Sequence, residues 1–193
     1  MPDWTLDDTQ WRPEWFSLPA YAEKIPAFLR ILREADDINS IEMARASLEH
    51  AVALSHGLHE GAYHVIPFLI ELLRFRESHA KAEIYNLLVE IACSEPLDEA
   101  DTIVGDDGRT PVALSTACRD RLMQVLPVAW HDLANDDDEE VVFQAMDFIG
   151  AVDPDKRRFV HYLRNSAASF GDKCRRNAED WLAEYDSTDH FPP

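Results

Sequence analysis

Three stretches of this chain place an apolar residue directly before a proline and leucine-rich helical spacing after it: YAEKIPAFLRIL at 21–32, AYHVIPFLIELL at 62–73 and RLMQVLPVAWHDL at 121–133. Recurrence of this kind implies one folding unit used several times. A helix pair too small to bury its own apolar face is stabilised by stacking on a copy of itself. Pro26 and Pro67 are 41 residues apart, within the period of two- or three-helix repeats, and Pro127 lies 60 further on. SEPLDEADTIVGDDGRTP at 94–111 accounts for the excess, because Gly, Pro and Asp are densest there and helical periodicity is lacking. An inserted acidic loop is therefore expected over 94–114. Proline inside a helix removes a hydrogen bond and bends the axis, so the same bend is expected at the same point of each unit.

Each proline helix is followed by a partner. NSIEMARASLEHAVALS (39–55) puts Ile41, Ala44, Leu48, Ala51 and Val52 on one stripe, with Ser40 or Asn39 as N-cap. SHAKAEIYNLLVEIAC (78–93) turns Ile84, Leu87, Leu88 and Ile91 inward behind an expected cap at Ser78, and VVFQAMDFIGAV (141–152) does so with Val141, Ala145, Phe148 and Ile149. A fourth pair, DKRRFVHYLRNSA (155–167) and DKCRRNAEDWLAEY (172–185), lacks the proline but keeps the outline. Scarce Gly and abundant Leu, Ala, Glu and Ile agree with an all-α class. The expected architecture is one domain of four hairpins, at 21–55, 62–93, 115–152 and 155–186, stacked as an α-α superhelix. The leading MPDWTLDDTQWRPEWFSLPAY carries Trp4, Trp11, Trp15 and Phe16, too aromatic for a disordered tail. Residues 1–20 are expected to cap the open end of the stack, with an aromatic anchor for a partner as the alternative.

DDDEEVVFQAMDFIG sets Asp136 and Asp138 in a turn, then Val141, Ala145 and Gly150 along the following helix. In this the chain resembles a HEAT-repeat protein, whose outer helix ends in leucines before an Asp-rich turn and an inner helix beginning Val-Arg-x-x-Ala. It departs from the pattern at Val142, where the family favours Arg. DKCRRNAEDWL keeps Arg175 and Ala178 with Cys174 at the Val position, and the second unit has Lys81 at the Arg position. The resemblance covers residues 20–186 apart from the insert. It implies a helical-repeat binding scaffold similar to small bacterial HEAT-like proteins, some of them associated with toxin immunity. Fold follows from it more directly than function, because HEAT stacks serve many purposes.

Charge narrows the partner. A formal net charge of −19 repels nucleic acid and anionic membranes and steers cationic proteins inward. Cys93, Cys118 and Cys174 are odd in number and far apart, suggesting neither disulfides nor a thiolate zinc site, and a reducing cytoplasm fits. The longest apolar run, VIPFLIELL, falls well short of the roughly 20 residues of a membrane helix.

Five carboxylates follow one another at Asp136, Asp137, Asp138, Glu139 and Glu140. Helix capping explains two or three of them. Calcium does not explain the rest, because its loops alternate ligands and carry a Gly at the turn. Residues 94–140 hold thirteen acids, Asp106 and Asp107 among them, against Arg109, Arg119 and Arg121. Stacking order is expected to bring the insert and the acidic run onto one edge. That edge is either a solvated face or a dock for a basic protein. Between 155 and 176, by contrast, Lys156, Arg157, Arg158, Arg164, Lys173, Arg175 and Arg176 outnumber the acids, read as surface balance with a phosphate or RNA site as the weaker alternative.

HGLHEGAYH supplies His56, His59, Glu60 and His64, but the interval from His59 to His64 is five, not the four of a helical zinc-protease motif. No Gly-rich phosphate loop, nucleophile elbow or Cys-His motif is present, so neither catalysis nor a cofactor is expected. The leading expectation is a noncatalytic scaffold that neutralises a basic protein, such as a toxin, through Asp106, Asp107 and residues 136–140. A general assembly adaptor and a HEAT-fold nucleic-acid enzyme resembling DNA glycosylases are the alternatives.

Overall fold

The computed structural model describes residues 9–75, 79–98, 101–104 and 109–187, and over these the chain is all-α. Its helices are α1 (Ile25–Glu34), α2 (Ile38–Val52), α3 (Glu60–Phe75), α4 (His79–Cys93), α5 (Leu114–Leu122), α6 (Leu126–Asn135), α7 (Glu139–Val152), α8 (Lys156–Ser166) and α9 (Asp172–Ser187). They pair as consecutive hairpins, α1 on α2, α3 on α4, α6 on α7 and α8 on α9. The second helices also pack in series, α2 on α4, α4 on α7 and α7 on α9, and α4 with α7 is the most extensive of these contacts. Every residue that spacing turns inward in the second helices is buried, from Ile41 and Leu48 through Ile84, Leu87 and Leu88 to Val141, Phe148 and Ile149. The same 3.6-residue stripe that predicts a helix thus also assigns its buried face.

Aspartates open three of the helices. Asp37, Asp138 and Asp155 accept from the backbone N–H of Ser40 (2.9 Å), Glu140 (2.9 Å) and Arg158 (3.0 Å), satisfying donors that the first turn leaves free. The cap of α2 is therefore Asp37 rather than Asn39 or Ser40, and the helix starts at Ile38. Ser78 lies outside the described residues.

The prolines do not share one role. Pro67 lies inside α3, as expected, whereas Pro26 and Pro127 sit in the first turns of α1 and α6, where a missing N–H costs nothing. Pro127 cannot serve the Met123 carbonyl four residues back. That oxygen accepts instead from Leu126 N–H in the 3-10 turn Met123–Val125, which separates α5 from α6.

The insert is short-stranded rather than featureless. β1 (Gly57–Leu58) pairs in parallel with β2 (Glu95–Pro96), and β3 (Thr102–Val104) pairs antiparallel with β4 (Pro111–Ala113), with Ile103 opposite Val112. Ile103 is buried, which ties this hairpin to the helical core. Elements of two or three residues are too short to show a period of two, so composition alone cannot reveal them.

Trp4 lies outside the described residues; from residue 9 on, the aromatic N-terminal segment lies along α3 and the end of α2. Trp11 packs on Phe68 with ring centroids 5.5 Å apart, and Trp15 stacks on His64 at 3.7 Å. Ser17 N–H donates to Ala51 O at 3.0 Å, fixing the segment to α2. Phe16, 5% exposed, fills a notch at Gly61, where a Cβ would overlap its ring. Gly61 explains the choice of seat, since it lets an aromatic ring reach the helix backbone. Gly61→Ala is expected to destabilise the protein by about 1–3 kcal/mol through overpacking. Urea unfolding measures this, and an unchanged midpoint would mean the ring does not need the notch.

Candidate functional site

The acidic run is largely neutralised from within. Lys81 of α4 reaches across to the end of α6, its Nζ lying 3.0 Å from Asp132 Oδ1 and 3.0 Å from Asp136 Oδ2. Burial alone would lower the Lys81 pKa, but hydrogen bonds to Asp136 and Asp132 outweigh it and hold the ammonium above its ordinary value. Asp132 is 3% exposed and also accepts from Tyr85 Oη at 2.8 Å. Burial, followed by the nearby Asp132 charge, pushes that phenol up and keeps it a donor. Asp138 caps α7, as noted, and its own N–H donates to the other Asp136 oxygen, Oδ1, at 3.1 Å.

On the other side Glu139 caps the next hairpin, its Oε1 accepting from Lys173 N–H at 2.9 Å and Cys174 N–H at 3.4 Å. Glu140 pairs with Lys173 Nζ. Of the five carboxylates, Asp137 is exposed and has no partner among the described residues. The Arg expected at position 142 is thus replaced by lysines from the flanking units, Lys81 before and Lys173 after.

The insert and this run do not share an edge. Lys81, near the start of α4, touches Asp136, whereas β2 follows the end of α4. The two acidic segments are therefore separated by the length of α4, about 20 Å at 1.5 Å per residue. The expectation of one edge followed from placing the two in neighbouring units of the stack, whereas parallel stacking of α4 and α7 puts their starts together and their ends together. Glu95, Asp98 and Asp101 of the insert are exposed, and Asp106 and Asp107 lie outside the described residues.

A different set of acids is brought together. Glu42 and Glu49 on α2, Glu83 and Glu90 on α4, and Glu140 and Asp147 on α7 are each seven residues apart, which places each pair on one helix face. Three neighbouring helices in parallel turn these pairs into two rows. Burial raises the Glu83 pKa, Arg45 opposes that, and Glu42 and Glu140 add to it, so the first row is electrostatically coupled across all three helices. Burial, then the charges of Glu90 and Asp147, raise the Cys93 thiol above its ordinary value. Arg45 bridges Glu49 and Glu83, the latter at 2.9 Å from its Nε without hydrogen-bond alignment, and Lys173 closes the row at Glu140. His56 Nδ1 is 4.0 Å from Glu90. Asp147 takes two neutral donors at 2.9 Å, Asn177 Nδ2 and Trp181 Nε1. Six carboxylates therefore face two permanent cations. The seven-residue spacing was visible in each helix separately, but only the order of stacking shows that the three pairs align.

The basic residues of the fourth hairpin are occupied internally. Lys156 donates to Gly150 O, Arg158 lies 4.3 Å over the Trp130 ring, Arg164 pairs with Asp186 at 2.6 Å, and Arg175 and Arg176 turn back to Asp172. Phe159 is fully buried among Trp130, Trp181 and Tyr185, and Tyr162 packs against the same cluster, so neither offers a stacking platform. The histidines diverge as well. His64 is sandwiched by Trp15 with Glu60 Oε1 at 3.5 Å, and burial, then Arg121 and Arg12, push its pKa down to about 4. Among the described residues no three His, Cys, Asp or Glu side chains converge at metal-ligand distance, and no helix is long and apolar enough to cross a membrane.

The fold defines an all-α protein of stacked hairpins with an acidic face on its second helices. The chain matches no family model, curated protein or solved structure.

Proposed function

We propose that this chain is a noncatalytic HEAT-like scaffold of the cytoplasm that binds a basic protein across the exposed face of α2, α4 and α7, as an inhibitor or immunity-type neutraliser. The observation that carries the reading is the double row formed by Glu42, Glu49, Glu83, Glu90, Glu140 and Asp147, six carboxylates against Arg45 and Lys173. Aligned charge of one sign on rigid helices raises the encounter rate with a cationic surface and rejects anionic ones. Residues 136–140 contribute through Glu140, which belongs to both the run and the face.

Affinity capture from the native cell with mass spectrometry tests this reading. The wild-type chain is expected to enrich a basic protein that a Glu42→Gln, Glu49→Gln, Glu90→Gln variant loses, while Asp137→Asn retains it. With the captured partner, the triple variant should associate about tenfold more slowly at low salt and show a weaker salt dependence. Equal recovery by wild type and triple variant, or no basic protein at all, would remove the proposal.

A further inference from the structure

Where the ends of α4 and α7 meet β1 and the start of α5, an open cleft of about 210 Å³ has hydrogen-bond donors to spare. Ser94, Ser115, Thr116 and Arg119 supply its polar lining, over buried Leu58 and Leu122. Three acceptors beside it are engaged. Glu90 O accepts from Ser94 Oγ at 2.7 Å and Ile91 O from Ser94 N–H at 3.4 Å, closing the end of α4, while Gly150 O near the end of α7 accepts from Lys156 Nζ. The donors of α5 are not engaged. Its N-cap is Ala113, which has no side-chain oxygen to offer, so the N–H groups of Ser115 and Thr116 have no partner among the described residues. The hydroxyls of the same two exposed residues have none either, nor has the Arg119 guanidinium one turn on. Arg119 also stands near a second cation. Burial lowers the Lys156 pKa, Asp153 raises it, and the Arg119 charge lowers it again, with Glu184 opposing. This repulsion persists in a chain of net charge −19, in which Arg33, Arg45, Arg164 and Arg175 each pair with a carboxylate. Two neighbouring cations and a set of unused donors at one cleft call for an anion.

We propose that this cleft binds a phosphate dianion, free or as the head of a small ester, with Arg119 and Lys156 as its counter-charges and Ser115 and Thr116 as its hydrogen-bond donors. The site is separate from the acidic face and does not depend on the basic-partner reading. Charge selects the class of ligand. A phosphate monoester carries about −1.5 to −2 at neutral pH and three acceptor oxygens, which matches both cations together, whereas a carboxylate matches one. Donor chemistry agrees, because a guanidinium presents parallel N–H groups to two oxygens and the uncapped first turn of a helix favours a third. Size sets the limit. Sites for drug-sized ligands run to about 300–1,000 Å³, so a smaller cleft takes a phosphate with a short substituent rather than a nucleotide. Neither Glu90 nor Asp147 lines it. Exposed charges farther off than about 10 Å are screened at 0.1 M salt, so the contact donors outweigh the net charge of the chain.

Amide NMR of the full chain tests this, by titration with sodium phosphate, glycerol 2-phosphate or sodium acetate at neutral pH and constant ionic strength. Phosphate is expected to shift the amides of Ser115, Thr116 and Ala117 saturably, and acetate to bind about tenfold more weakly or worse. Tighter binding of glycerol 2-phosphate than of phosphate assigns the ester as the ligand, and the reverse order assigns the free ion. Arg119→Gln should weaken phosphate about tenfold, with Arg119→Lys in between. Ser115→Asp sets a carboxylate at the same helix start, where it favours folding of α5 and should abolish binding. Arg33→Gln, a charge change outside the cleft, should leave the affinity as it is. Shifts that fail to saturate or that spread over the basic fourth hairpin overturn the proposal. Equal affinity for acetate and phosphate, or phosphate binding that survives Arg119→Gln and Ser115→Asp, overturns it as well.

Discussion

Asp132→Ala is expected to destabilise the protein by about 3–5 kcal/mol, the largest loss from any single polar substitution considered. The carboxylate is 3% exposed and holds two buried donors, Lys81 Nζ and Tyr85 Oη. Removing it leaves the phenol without its acceptor and the ammonium with Asp136 alone. Most of the cost comes from stranding these groups away from water rather than from losing an attraction. Asp132→Asn keeps an acceptor for the phenol but drops the charge facing Lys81, so it should fall between the wild type and Asp132→Ala. A Lys81→Met, Asp132→Ala double variant should be less damaged than the two single losses added together. Urea unfolding at low and high salt decides the matter. A loss below about 1 kcal/mol would mean that the site rehydrates and behaves as a surface pair.

Acidification gives the second large effect. His64 is neutral and half-buried against Trp15, with a folded pKa of about 4 below an ordinary 6.5. Between these values the unfolded chain binds a proton that the folded one refuses. Stability contributed by neutral His64 is therefore complete above pH 6.5, falls as pH drops toward 4, and is level below that. Integrated over this window the loss is about 2–3 kcal/mol, allowing for the partial exposure of the ring. Glu60, whose pKa burial raises, works in the opposite sense and gains as pH falls. Comparing wild type with His64→Gln isolates the histidine. The variant should lose less stability than the wild type between pH 7 and 4, and parallel curves would refute the assignment.

How much of this could be read from the chain depended on the range of the interaction involved. The helix pairs and their buried stripes rest on side chains three and four residues apart, and Ile41, Leu48, Ile84, Leu88, Phe148 and Ile149 obeyed that spacing. Asp138 as a cap is equally local. The pairing of Lys81 with Asp132 and Asp136 spans more than fifty residues. The sequence signalled it only as a lysine at a position where the HEAT pattern has an arginine. The shared edge expected of neighbouring units fared worst. The insert and the acidic run sit at opposite ends of α4. Proline was ambiguous for a similar reason, since its effect depends on where the helix starts, which the residue itself does not determine.

The turn at 136–140 is fastened on both sides, by Lys81 from the preceding hairpin and by the start of α9 in the following one. In an array held only by apolar stacking, end units fray independently, and unfolding spreads out into steps. Here the removal of the fourth hairpin also uncouples Glu139 and Glu140, leaving their charge beside Asp136 and Glu83. Loss at one end is thereby felt two units away. The consequence is cooperativity: the second, third and fourth hairpins are expected to melt as one block, with hydrogen-exchange protection rising and falling together across them.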